Sequence, residues 1–271
     1  VSPFTPGEIE QPEAAGEYDA AMQDFLQLVW GDGFLSPGGA DEIARLLEGE
    51  DISGAAVLDI GAGLGGVDGL LATLHGAGSV VGIDIEPGLI ACAEVRIASA
   101  GLSDRVRFQC VTPGPLPFPD ASFDIVFSKD AVVQIPDKPA LFAEIFRVLR
   151  PGGRFIASDW LRGGEAEYSA QMLEFFRLEG ITYNMAFAAE SEAALASAGF
   201  TGIVLRDRNA WYREVARHEL AQLQSALSDL MTARIGSAKA QHFVENWRQL
   251  VLVLDRGELR PCHLKAVKAG A

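Results

Sequence analysis

Two acids and a run of glycines are the first residues in this chain whose spacing could do chemistry. In Val57-Leu-Asp-Ile-Gly-Ala-Gly-Leu-Gly-Gly66, Asp59 stands two residues ahead of glycines at 61, 63, 65 and 66. Val57, Leu58 and Ile60 have the character of a buried strand. Gly61 and Gly63 allow a sharp turn that brings main-chain N–H groups close to a ligand. A second acid, Asp84, ends the next apolar run about twenty residues beyond Gly61, where a carboxylate can take both hydroxyls of a ribose. Two cofactor readings follow. A dinucleotide wants GxGxxG and an open helix N-terminus for pyrophosphate. The GxGxGG turn, with Asp59 ahead of it, better suits a cofactor with a cationic amino-acid tail. A purely structural Asp59, hydrogen-bonded to the turn, is the alternative.

The elements that must hold these residues read as an alternation. Strands are expected at 55–60, 79–83, 106–110, 123–127 and 154–158, with helices at 64–74, 87–98 and 139–149 between them. Strands this apolar, alternating with helices, predict a doubly wound, mostly parallel α/β sheet covered on both faces. In such a sheet the ligand lies beyond the carboxyl ends of the strands. That directs attention to Thr112 after the third strand, Ser128-Lys129-Asp130 after the fourth, and Trp160 after the fifth. Ahead of the sheet, residues 1 to about 15 read as a mobile arm, and helices are expected at 18–29 and 40–47. After it come helices at 165–178 and 191–198, a strand at 202–205, long helices at 211–233 and 238–252, and a closing strand at 263–267. The chain divides on this reading into an arm and helical lid (1–47), a cofactor-binding core (48–160), and acceptor-site helices with closing strands of the same domain (161–271).

Composition narrows the partners. A formal net charge of −15 with no basic stripe argues against nucleic acid. No stretch has the length or composition to enter a membrane. Three cysteines without ligand spacing read as core hydrophobes of a reducing compartment, and a cytoplasmic location is the default expectation. The four histidines stand singly, so no metal site is expected. Oligomeric state is left open.

Taken together, Asp59-Ile-Gly-Ala-Gly, Gly82-Ile-Asp84, Phe118-Pro-Asp-Ala-Ser-Phe-Asp124 and Leu149-Arg-Pro-Gly-Gly-Arg resemble the class I S-adenosylmethionine-dependent methyltransferases. The resemblance implies a Rossmann-like fold and S-adenosylmethionine as cofactor, with S-adenosylhomocysteine as product. It implies that Asp84 holds the ribose, Ile85 packs on adenine, and the glycine turn takes the methionine part. The adenine-amino acid expected after the third strand is replaced by Thr112.

A narrower likeness runs through Tyr18, Phe34-Leu-Ser-Pro-Gly-Gly39, Ser128-Lys-Asp-Ala131 and the two long C-terminal helices. These are similar to the phosphoethanolamine N-methyltransferases. That similarity implies a lid tyrosine (Tyr18), a lid serine (Ser36) and an acid near the acceptor nitrogen (Asp130). The family's histidine partner of the tyrosine falls on Gln134, and glutamine is no general base. Its phosphate-gripping arginine falls on Glu179, and a lysine with the same task falls near Leu250, with Arg248 the nearest cation.

The exchange to Glu179 turns an anion site into a cation site. An amino-acid-type or amine acceptor is therefore expected, methylated at nitrogen or, since a thioether needs no base, at sulfur. Trp160 is the best-placed tryptophan for the acceptor site. Phosphoethanolamine is the alternative acceptor, and a non-catalytic S-adenosylmethionine-binding partner protein the alternative of another class. Asp130 could instead cap the turn after the fourth strand.

Overall fold

The computed structural model describes residues 18–270 except 166 and 182. The expected N-terminal arm lies outside the described residues. Among the described residues seven strands form one sheet, ordered β3-β2-β1-β4-β5-β7-β6. They are β1 (Ala56–Ile60), β2 (Ser79–Asp84), β3 (Val106–Cys110), β4 (Phe123–Lys129), β5 (Leu149–Arg162), β6 (Phe200–Asp207) and β7 (Leu259–Lys268). β1 pairs parallel with β2 and β4, while β7 runs antiparallel to both β5 and β6. The sheet is the doubly wound, mostly parallel arrangement that the sequence predicts, and the strand order reverses between β1 and β4.

Alternate residues of the central strands enter opposite cores, which is why the strands are apolar throughout. Leu58 and Val126 join Phe142, Ile145 and Phe155 on one face. Val57, Ile125 and Phe127 join Leu71, Ile97 and Ile43 on the other. The helices covering the sheet are α2 (Gly39–Leu46), α3 (Gly66–Thr73), α4 (Pro87–Ser99), α5 (Lys138–Val148) and α7 (Ala188–Ser197). A third core is helical. It is built from α1 (Ala20–Trp30), α6 (Ala170–Glu179), α8 (Asn209–Leu223), α9 (Ser228–Ile235) and α10 (Ser237–Asp255) around Phe25, Phe243, Trp247 and Leu250.

The lid helix α1 starts where Asp19 Oδ1 accepts the Met22 N–H at 2.8 Å, a side-chain cap for an otherwise unpaired backbone donor. It is seated by Phe25 stacked on Phe243, with ring centroids 3.9 Å apart. Arg96 of α4 ties it to the glycine turn, donating from Nε to Leu64 O at 3.0 Å and from Nη2 to Gln27 Oε1 at 3.0 Å. α2 is anchored by buried Glu42, which accepts from Arg208 at 3.1 and 2.7 Å and meets His263 Nε2 at 2.6 Å.

Three departures from the sequence reading have physical causes. β4 runs two residues past Phe127, so Ser128 and Lys129 belong to the strand. β5 absorbs Pro151-Gly152-Gly153 instead of starting after it, with a register shift against β4 between Phe123 and Ile125. Gly152 takes φ +80° there, which makes the bulge possible. The helix expected at 211–233 breaks into α8 and α9, and Ser225 Oγ turns back to Ala221 O at 2.6 Å across the break, a local bond that competes with continued helix.

Candidate active site

The glycine turn leaves β1 with Gly61 N and Ala62 N donating to Ile83 O at 2.9 and 3.0 Å. Gly61 has φ +82°, and a Cβ there would lie 2.2 Å from the Ala131 Cβ, so this position admits no side chain. Gly63 N donates to Asp84 Oδ2 at 2.9 Å, and Glu86 N to Asp84 Oδ1 at 3.0 Å. Asp84 is thus held at the end of β2 with one lone pair on each oxygen unused by these bonds. Beside it Ile85 is 58% exposed, a large apolar side chain outside the core. Thr112, beyond β3, is also exposed.

Two of the expected cofactor residues are placed differently. Ser128 is fully buried and donates from Oγ to Ile60 O at 2.8 Å, stapling β4 to β1. Asp59 is buried against Asp68 of α3, and burial pushes its carboxyl up to about 7. Asp68 is pushed up as well by burial and by the Asp59 charge, so the pair favours a shared proton. Asp59 therefore shares its buried site with another acid.

The acceptor-side residues converge. Tyr18, Ser36, Asp130, Gln134, Trp160 and Glu179 line one cleft between the lid, the carboxyl ends of β4 and β5, and α6. Leu35, also in its wall, reaches the glycine turn; a Cβ on Gly63 would meet its Cδ1 at 3.4 Å. Asp130 sits in the left-handed region at φ 59°. Its Oδ1 accepts from Ser158 Oγ and its Oδ2 from Lys129 Nζ, both at 2.8 Å. It makes no cap of the following turn, whose N-cap is Ala131. Lys129 Nζ also donates to Ser36 Oγ at 2.6 Å and Pro37 O at 2.9 Å, so one buried cation joins the lid to Asp130.

Gln134 lies on a one-turn 3-10 helix held from several sides. Asn184 Nδ2 donates to Gln134 O at 2.9 Å, and Asn184 N to Val133 O at 2.8 Å. Asp159 Oδ1 accepts the Val133 N–H at 2.8 Å, and buried Lys138 donates to Val132 O at 2.6 Å. Burial pushes Asp159 up to about 7, with the Lys138 charge opposing it.

Glu179 accepts from Asn246 Nδ2 and from the Tyr183 hydroxyl, while burial raises its carboxyl. Tyr183 also lines the cleft, its hydroxyl pushed well up by burial and then by the charge of Glu179. Beneath this wall, Glu219 accepts from Trp30 Nε1 at 2.8 Å and Trp247 Nε1 at 3.1 Å, and burial pushes it up to about 7. Arg248 is turned away, paired with Glu245 on the exposed side of α10 at 2.8 Å. Among the described residues no group of His, Cys, Asp and Glu could hold a metal ion, and no helix is long and apolar enough to cross a membrane.

Sequence reasoning gave no role to Lys129, Ser158, Tyr183, Asn246 or Glu219. The first lies beside Asp130, where the strand-end rule already draws attention, and the second two residues before Trp160, within reach of the same rule. The others depend on contacts between distant helices.

Residues 58–157 match the family described as a methyltransferase domain. Phosphoethanolamine N-methyltransferase 1 of Arabidopsis thaliana is 34% identical over 226 residues, covering 78% of this chain and 45% of that protein. Phosphoethanolamine N-methyltransferase 1 of Zea mays is 29% identical over 90% of this chain and 48% of its own length. The chain therefore spans about half the length of the curated relatives it matches. The structure of Haemonchus contortus phosphoethanolamine N-methyltransferase 2 in complex with S-adenosyl-L-methionine superposes with a TM-score of 0.82 at 25% identity, over 92% of this chain and 60% of that one.

Proposed function

The chain belongs to the class I S-adenosylmethionine-dependent methyltransferases, and on that premise we propose that it methylates the nitrogen of a small amine bound in the cleft under its lid. The observation that carries this reading is the convergence of Tyr18, Ser36, Asp130, Gln134, Trp160 and Glu179 on one cleft that abuts the glycine turn. N-methyl transfer is the chemistry named for the three relatives above. Phosphoethanolamine, the acceptor those names carry, and its phosphate-free parent ethanolamine are accordingly the first pair to try, ahead of the amino-acid-type acceptor. Methylation of a thioether finds no counterpart among those three.

The residues at the donor end fit S-adenosylmethionine. Asp84 is oriented by two backbone N–H groups, with lone pairs left for ribose hydroxyls. Ile85 offers an exposed apolar face for adenine. At Gly61 and Gly63 the turn carries no side chain, so its main chain alone would meet the cofactor's tail. When bound, the cofactor supplies a methyl carbon activated by a sulfonium.

The chain's own part is alignment and exclusion of water. Tyr18 presents a hydroxyl and an aromatic face to a cationic nitrogen. Asp130, held by Lys129 and Ser158, gives that nitrogen a fixed carboxylate to lean on. The Gln134 amide orients the amine but takes no proton. Glu179, whose carboxyl is raised by burial, is the cleft group best suited to receive one.

The test is incubation with S-adenosylmethionine and a panel of small amines that includes phosphoethanolamine and ethanolamine. Methylated amine and S-adenosylhomocysteine are expected in equal amounts. Tight binding of S-adenosylhomocysteine with no product across the panel would leave only the non-catalytic binding protein.

A further inference from the structure

The cleft that receives the amine carries two carboxylates, Asp130 and Glu179, and three phenols, Tyr18, Tyr183 and Tyr212. Trp160 and Trp247 add two indoles. No arginine, lysine or histidine lines it among the described residues. The neighbouring cation, Lys129, is already bonded to Asp130, Ser36 and Pro37, with its side chain only 2% exposed. Arg248 faces outward to Glu245.

A wall of carboxylates and aromatic faces attracts ammonium and methylated ammonium groups. A phosphate in the same space would face like charge without a compensating donor. We infer that the acceptor is a phosphate-free amine, and that Glu179, positioned by Asn246 and Tyr183, is the residue that selects it.

This rests on the cleft being the acceptor site of the proposed methyltransferase. Its consequence is discrimination between two amines that differ only by a phosphate. Esterification adds negative charge to the guest, and no described residue of the cleft wall returns a hydrogen bond from a cation.

The experiment measures binding of choline and of phosphocholine to the full chain saturated with S-adenosylhomocysteine, beside turnover of ethanolamine and phosphoethanolamine. Choline is expected to bind at least tenfold more tightly than phosphocholine, with kcat/KM for the two amines in the same order. Glu179→Gln should weaken choline at least tenfold while leaving the Kd of S-adenosylhomocysteine unchanged. Glu179→Arg should reverse the preference. Equal or tighter binding of phosphocholine, or binding of neither probe to the loaded protein, overturns the inference. Failure of the unaltered protein to bind S-adenosylhomocysteine at all would instead strike the methyltransferase reading. The two failures are therefore distinguishable.

Discussion

At the scale of single residues, Gln134 and Gly61 make the sharpest demands. Gln134 lines the cleft on a turn braced by Asn184, Asp159 and Lys138, so its position is fixed while its amide cannot accept a proton at neutral pH. Gln134→His puts a base on that braced turn. We expect kcat to rise by about tenfold or more, within reach of what a positioned base supplies. A new limb should also appear in the pH–rate profile near the ordinary imidazole pKa of about 6.5. An unchanged rate and a flat profile would separate Gln134 from the amine. Gly61 tests the donor end. A Cβ 2.2 Å from that of Ala131 cannot be accommodated without moving the segment that carries Asp130. Gly61→Ala is expected to weaken S-adenosylhomocysteine binding by at least a hundredfold, read by calorimetry, and normal affinity would mean the turn yields easily.

At the scale of elements, the lid and β4 are joined through Lys129. Its side chain and that of Asp130 are only 2% and 6% exposed, so removing one charge leaves the other uncompensated. Lys129→Met is expected to cost about 3 kcal/mol in chemical denaturation. Adding Asp130→Asn should recover part of that stability without restoring activity. No loss in the single variant would mean that water replaces the lysine.

The same element explains what could be read in advance and what could not. Apolar strands alternating with helices declared the parallel half of the sheet, and Tyr18, Ser36, Asp130, Gln134, Trp160 and Glu179 could be nominated from pattern and resemblance. The end of β4 could not, because Ser128 and Lys129 are polar residues kept in the strand by distant partners, Ile60 and Ser36. Nor could the acid pair of Asp59 and Asp68, since an acid in a glycine turn looks the same whether it faces a ligand or another acid.

At the scale of the whole molecule, buried acids set the response to pH. Burial pushes Asp59, Asp159 and Glu219 up to about 7, against unfolded values of about 4. Between those limits the folded protein holds protons that the unfolded chain has released, so stability falls as pH rises through that window. Glu42 and Asp124 are lowered by their partners and act oppositely, losing stability as pH falls through the carboxylate range. The net charge of −15 adds self-repulsion on the alkaline side. Calorimetric Tm should be higher near pH 5.5 than near pH 8, and a Tm that climbs steadily to pH 8 would contradict the assignment of these buried acids.

Glu219 has one more consequence. Its two carboxylate oxygens take the indole N–H groups of Trp30, on the lid, and Trp247, on the cleft wall. A charge that comes and goes near pH 7 therefore sits against two of the chain's four fluorophores of this kind. The molecule carries its own optical gauge, whose emission reports both the proton on Glu219 and the seating of the lid without any added label.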